Sequence, residues 1–481
     1  MSASAVMERS QSLLIALVIT AVIAIGAWVP QGGLGIGLVC LVAALASSPM
    51  AVAVIIVILV TRIANPGLGG AVQLDGGTTD LVSWAAMLAA SGRIWMDAVL
   101  QRVPILKVLP TFFLPYAVTV IALSAIFSEQ TMLSLVKGVN FCITASSLFL
   151  AFAMFKAQSD QRFVGWIKGL WLAAIVLSVP LLAVPSIGYF RDGQGFQGIL
   201  NHPQAFTVFL APLVIWALVQ SLTVKEGSRA ILIAVLLVSM ALMLLTRGRT
   251  GPTAIVLAGI ILLVFRPGFA RYAAELAGLA LSRPWVLGGL ILAGVGLIFS
   301  GVNVVEIVSS FIFKQSGVDQ VSLAFGASRG FIVDQQILNF QESPITGIGF
   351  GVSNSVTHAL TVEIDPLTGL PVGAATEKAN LFLAVLEETG LVGALAFAPV
   401  LLSMVVRMSR TPSLALAWAA IAALCTNVSE MTFFSFGGIG LYTWLIMVWA
   451  YAEAIVPRSE RGPVAAPIQD FVALAPQKAQ H

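Results

Sequence analysis

The chain has 481 residues, of which 58% are hydrophobic and only 10% charged, with a formal net charge of +3. Soluble globular proteins carry about 25% charged and roughly 45–50% apolar residues. This composition therefore excludes an ordinary soluble enzyme, gives no footing for a nucleic-acid partner, and points to a membrane domain with lipid around it. The three cysteines, Cys40, Cys142 and Cys425, are scattered through apolar runs, which suits neither a disulfide framework nor a zinc site.

In chain order, the first apolar run is Ser12–Val29. It has the length of a signal peptide, but further runs follow directly, so it reads as a retained first span. A spanning helix needs about 20 mostly apolar residues. Fourteen candidate spans begin near residues 12, 34, 50, 79, 108, 131, 166, 203, 230, 252, 284, 380, 412 and 437. The second to fourth are short and the twelfth is irregular, so the expectation is an all-α, polytopic bundle of 12–14 transmembrane helices. Helices are expected because lipid offers no partner to an unpaired backbone group.

Basic residues orient such a chain. With the N-terminus in the cytoplasm, seventeen of the twenty-five Lys and Arg residues, from Arg9 to Lys478, fall inside. Arg62, Lys137, Arg191, Arg247, Arg249, Lys314, Arg329 and Lys378 do not. Lys137 lies within a span and the other seven lie at or beyond outer helix ends, so these eight call for another reason. The chain divides into N-terminal membrane helices (1–300), an outer, periplasmic loop with an amphipathic helix (301–378), C-terminal membrane helices (379–456) and a Pro/Ala-rich cytoplasmic tail (457–481) expected to be disordered. No sizeable cytoplasmic segment is left for chemistry, so the outer face is where it would occur.

Two spans open outward with helix-start signals, Asn201-His202-Pro203 and Thr250-Gly251-Pro252, the second with Thr250 as the expected cap. A helix N-terminus favours anions through its free N–H groups and dipole. Arg247 and Arg249, in the turn T-R-G-R-T-G, and Arg191 add fork-shaped donors that suit phosphate oxygens. The bland alternative is that they snorkel to lipid headgroups.

In the outer loop, Val333, Ile337 and Phe340 share one helical face, with Ser328 as cap, Arg329 in the first turn and Pro344 beyond the end. The expected element is an amphipathic helix lying over the membrane domain. Gly347–Gly351, G-I-G-F-G, has the wrong spacing for a dinucleotide fingerprint and reads as a flexible turn. Glu377, Lys378 and Asn380 crowd the start of the next apolar run, and Glu387 and Glu388 lie within it. Carboxylates at membrane depth need partners or water, as in broken helices. His202 and His358 lie in outer segments; no metal-binding cluster is visible.

Four stretches together resemble the O-antigen ligase and Wzy-type polymerase superfamily of bacterial integral-membrane glycosyltransferases. They are G-I-L-N-H-P-Q-A (Gly198–Ala205), L-L-T-R-G-R-T-G (Leu244–Gly251), S-R-G-F-I-V-D-Q-Q-I-L (Ser328–Leu338) with S-P-I-T-G-I-G-F-G (Ser343–Gly351), and N-L-F-L-A-V-L-E-E-T-G-L-V-G (Asn380–Gly393). The resemblance covers about residues 198–393 and implies a GT-C-like fold in the bacterial inner membrane, with both termini cytoplasmic and the site facing the periplasm. It implies a metal-independent, cofactor-free polymerase that joins undecaprenyl-pyrophosphate-linked oligosaccharides, with membrane lipid, a flippase and a chain-length regulator as partners. Arg247 and Arg329 match the family's functional arginines. Glu388 joins them as a catalytic candidate, with Arg249, Arg191, His202, Lys378, Asn380, Glu377 and His358 for pyrophosphate or glycan binding. Family ligases carry His where this chain has Ala379, which favours the polymerase and leaves the general base open among Glu377, Glu388 and His358. A ligase and a membrane transporter are the competing readings.

Overall fold

A computed structural model describes residues 32–68, 78–190, 195–224, 229–281, 330–352, 362–364, 371–374 and 378–455. The described chain is built from helices: α1 Gly32–Ala44, α2 Ser48–Ile63, α3 Thr78–Leu100, α4 Phe113–Phe127, α5 Thr131–Ala157, α6 Arg162–Ser178 and α7 Pro203–Thr223. There follow α8 Arg229–Leu245, α9 Thr250–Phe265, α10 Phe269–Leu281, α11 Phe331–Glu342, α12 Leu381–Ser409, α13 Leu414–Cys425 and α14 Ile439–Ile455. The all-α expectation has one exception: Val362–Ile364 and Pro371–Ala374 pair as a short antiparallel hairpin within the expected outer loop.

Among the described residues, four helices are long and apolar enough to cross a membrane: Thr131–Ala157, Arg162–Ala183, Pro203–Thr223 and Leu381–Ser409. Seven more apolar helices are shorter, at 10–17 residues. Twelve of the fourteen candidate spans carry a helix; those near 12 and 284 lie outside the described residues, as does the tail from 457.

The centre of the bundle is α14, whose residues from Gly440 to Ala452 are all buried. It packs on α5, α7, α12 and α13. Phe141, Phe149 and Phe433 surround Trp444 with ring centroids 4.7–5.9 Å away. Such rings contribute both area and edge-to-face geometry. Tyr442 stacks on Phe209 at 4.3 Å, and its hydroxyl donates to the Phe209 carbonyl (2.9 Å) while accepting from Trp171 (2.7 Å). The bond falls beside Pro212, which removes one rung of the α7 ladder.

The basic residues sort to the two ends of the bundle. At one end Lys156 pairs with Glu453 (2.5 Å), Arg266 donates to the carbonyls of Ser409 and Thr411, and the Arg407 guanidinium lies over Tyr451. All of these belong to the basic loops that the charge rule groups on one side. The opposite end collects residues 62–65, 195–203, 246–251, 344–352, 378–380 and 426–438, held by backbone and side-chain bonds between segments far apart in sequence.

Candidate functional site at the charged end of the bundle

The T-R-G-R-T-G turn closes α8 and opens α9. Leu245 is the last residue of α8, and Arg247 then takes a left-handed conformation (φ 54°) with its N–H on the Leu244 carbonyl at 3.0 Å. That is where helices usually place glycine. An L-residue there costs about 1–2 kcal/mol, so the sequence gives up stability to set a guanidinium at this point.

The turn is held firmly. Thr246 Oγ1 donates to Met243 O (2.7 Å) and accepts from Gly248 N (3.0 Å). A Cβ at Gly248 or Gly251 would run into Thr207 of α7, so both glycines are needed for the close approach. The helix begins earlier than the Thr250 cap predicts. Arg249 occupies the cap position without a side-chain cap bond, and Thr250 lies inside α9, accepting a hydrogen bond from Ser429 (3.0 Å). Ser429 supplies what local sequence does not show.

Arg247 is exposed and Arg249 half-buried. Neither guanidinium has a hydrogen-bond or ion-pair partner among the described residues. Partial burial pulls Arg249 below its ordinary pKa, yet an arginine keeps its proton at neutral pH.

Beside the turn lies the start of α7. Phe196 N donates to Leu245 O (2.9 Å) and Asn201 N to Ile63 O (2.8 Å), so the segment before α7 ties α8 to α2. Pro203 is the first helical residue and His202 the cap, its Nδ1 accepting from Gln204 N at 3.1 Å. The His202 ring meets Phe190 edge-on at 4.7 Å. His202 thus has a structural task as well as its place in the expected site.

A second group of charges lies under residues 344–352. α12 is broken at Gly390 (φ 60°, ψ −163°), which fulfils the expectation of an irregular twelfth span. The break strands backbone groups, and the loop before it satisfies them. Ile348 N and Gly349 N donate to the carbonyls of Glu387 and Glu388, both at 3.0 Å, while Leu391 N and Val392 N donate to Pro344 O and Ile345 O. Gly347, Gly349 and Gly351 all have positive φ, and a Cβ on Gly347 would run into the Glu388 backbone. The expected flexible turn is therefore a docked one, because buried backbone groups must pair.

Lys378 is buried rather than at a surface. Its Nζ lies 2.5 Å from Glu387 Oε2, 3.8 Å from Glu388 Oε1, and donates to Val352 O at 2.8 Å. Its ammonium is thus engaged within the protein, facing Glu387 and the Val352 carbonyl. Lys137 of α5 donates to Gly351 O at 2.7 Å. Glu387 also accepts from Asn339 Nδ2 (2.7 Å) and Gln336 Nε2 (3.0 Å), both on α11. Glu388 is equally buried, but neither of its oxygens has a hydrogen-bond partner among the described residues. The Gly351 amide faces it without reaching hydrogen-bond geometry. Two carboxylates and two ammoniums thus gather, balanced in charge, as buried ions must.

Asn380 caps α12 through Oδ1 on Leu383 N (3.0 Å), and Ala379 N donates to Gln336 Oε1 (3.0 Å). The predicted face of α11 needs correcting. Among its described side chains the fully buried ones are Gln336 and Asn339, whereas Ile337 is 38% exposed. The amides are drawn in by Glu387, and the helix turns accordingly.

The structure brings together Arg247, Arg249 and His202 in one group and Glu388, Lys378 and Asn380 in another, with residues 426–438 between them: Ser429 on the turn, and Phe434 against Phe350 at 5.0 Å. Arg191, Arg329, His358 and Glu377 lie outside the described residues. Sequence reading missed Gln336 and Asn339. It set Lys137 and Glu387 apart without pairing them, although two bases and two acids within apolar stretches were the available signal. Among the described residues, no cluster of His, Cys, Asp or Glu could hold a metal ion.

What fold and site define is a helical protein with membrane-length apolar helices and a charged end. No protein-family model matches the chain, and neither does any curated protein.

Proposed function

We propose that this chain is a polymerase of the bacterial inner membrane, joining undecaprenyl-pyrophosphate-linked oligosaccharide repeats at the periplasmic face. On this reading the bundle is a GT-C-like glycosyltransferase of 12–14 spans, and the end carrying the T-R-G-R-T-G turn faces outward with the loop 301–378. The observation that carries the proposal is the pair Arg247 and Arg249, fixed in a rigid turn with no partner for either guanidinium among the described residues. Guanidiniums held in place before the reaction stabilise charge as it forms without reorganising. In the reaction, a hydroxyl of the acceptor repeat attacks the anomeric carbon of the donor glycan. The bond from that carbon to the pyrophosphate oxygen breaks, and undecaprenyl pyrophosphate leaves with the electron pair. Arg247, Arg249 and Arg329 neutralise it. Glu388 supports the role of proton acceptor by carboxylate oxygens that have no hydrogen-bond partner among the described residues, and its enclosure requires the loop 344–352 to yield before a hydroxyl reaches it.

A transporter is the second reading, favoured by one observation: a broken helix with buried charges, as transporter substrate sites have. One experiment separates the two. In a strain lacking the protein, complemented with wild type, Arg247→Ala or Arg329→Ala, the lengths of undecaprenyl-linked glycans are measured. Accumulation of single repeats in the null and both variants, with all variants in the membrane, supports the polymerase. Long lipid-linked polymer in the null identifies a ligase, and unchanged glycans overturn the proposal in favour of transport.

A further inference from the structure

α11 is held in an unusual way. Among its described side chains, the two it buries completely are both amides, Gln336 at 2% and Asn339 at 1% exposure, while Ile337 and Leu338 on the same helix are 38% and 53% exposed. Among these side chains the deepest contacts are therefore polar. Both amides converge on a single carboxylate on α12: Asn339 on Glu387 Oε1, Gln336 on Oε2. The amide of Gln336 is fixed from its other side too, since its oxygen accepts from Ala379 N. Lys378 neutralises the carboxylate and, through Val352 O, ties in the end of the docked loop. Three segments thus meet at one buried ion pair. A buried carboxylate with three donors is a strong, directional anchor, and a fragile one if a donor is removed.

We propose that Glu387, Gln336 and Asn339 are positioning residues that clamp α11 to the broken α12, and that this clamp sets the base of the outer loop, where Arg329 stands two residues before Phe331. The consequence for glycan length rests on the polymerase reading; the clamp itself does not. Lys378 serves it as the counter-charge.

The test moves the carboxylate from one helix to the other. Asn339→Asp is isosteric and sets a second carboxylate against Glu387. Asn339→Asp with Glu387→Gln restores one carboxylate facing one amide, with the partners exchanged. A nitroxide on Leu338→Cys, in full-length protein whose native cysteines are buried, reports docking of α11 by its mobility. The single variant should release the label, and the exchanged pair should immobilise it again. Polymer yield in the complemented strain should be lost in the single variant, which buries a second carboxylate against Glu387, and recover in the exchanged pair. A label as immobile in Asn339→Asp as in wild type overturns the clamp, as does an exchanged pair that folds without re-docking. If docking follows the prediction while polymer yield does not, the positioning role falls. If the null strain makes normal glycan, the polymerase reading fails and the docking pattern alone decides for the clamp.

Discussion

The two groups of charge at this end of the bundle are built on opposite rules. Around Glu387 nearly every donor and acceptor is consumed inside the protein: Lys378 has three neighbours, and Glu387 accepts from three side chains. At the turn after α8, two guanidiniums are presented with no such partner among the described residues, and one stands on backbone that glycine would occupy more comfortably. Charge that is internally spent stabilises structure. Charge held rigidly and left unspent is available to something outside. The contrast, rather than the presence of arginine or lysine, separates a scaffold from a binding surface.

The comparison can be broken at its strongest point first. Lys378→Met leaves Glu387 buried without its counter-ion, and removing one member of such a pair destabilises by about 3–5 kcal/mol. The expected result is a large fall in the thermal midpoint of the detergent-purified protein; an unchanged midpoint would show the pair to be dispensable. Next comes Gly347→Ala, at φ 70° with the Glu388 backbone in the way of a Cβ. It should lose roughly 2 kcal/mol or more, visible as faster proteolysis of the loop 344–352. Arg247→Gly has the smallest effect on stability and sharpens the contrast most. Relief of the left-handed arginine should leave the midpoint unchanged or raise stability by about 1 kcal/mol, while lipid-linked polymer is lost. A stable variant with normal glycans would make Arg247 a mere surface residue.

Much of the fold is legible along the chain. Apolar runs became helices at twelve described places, four of them long and apolar enough to cross a membrane, Pro203 marked a helix start, and the Glu-Glu-Thr-Gly stretch signalled the irregular span that breaks at Gly390. The site is legible only in part. The arginine turn was visible because R-G-R interrupts two apolar runs, but its helix starts at Thr250 instead of after it, with Thr253 N on Arg249 O, and the Thr250 hydroxyl accepts from Ser429, 179 residues away. Lys378 could be placed at an outer helix end but not paired; the fold buries it against Glu387.

Local sequence was enough for the helices, for starts such as that at Pro203, and for the grouping of most basic residues on one side. Those follow from local rules: apolar period, helix-start chemistry and the expense of charge in lipid. Which charges become partners is set by long-range packing. Gln336 and Glu387 are 51 positions apart and Lys137 and Gly351 are 214 apart. No spacing rule reaches that far, since such contacts depend on how helices pack, and packing decided which charges were spent and which were left facing outward.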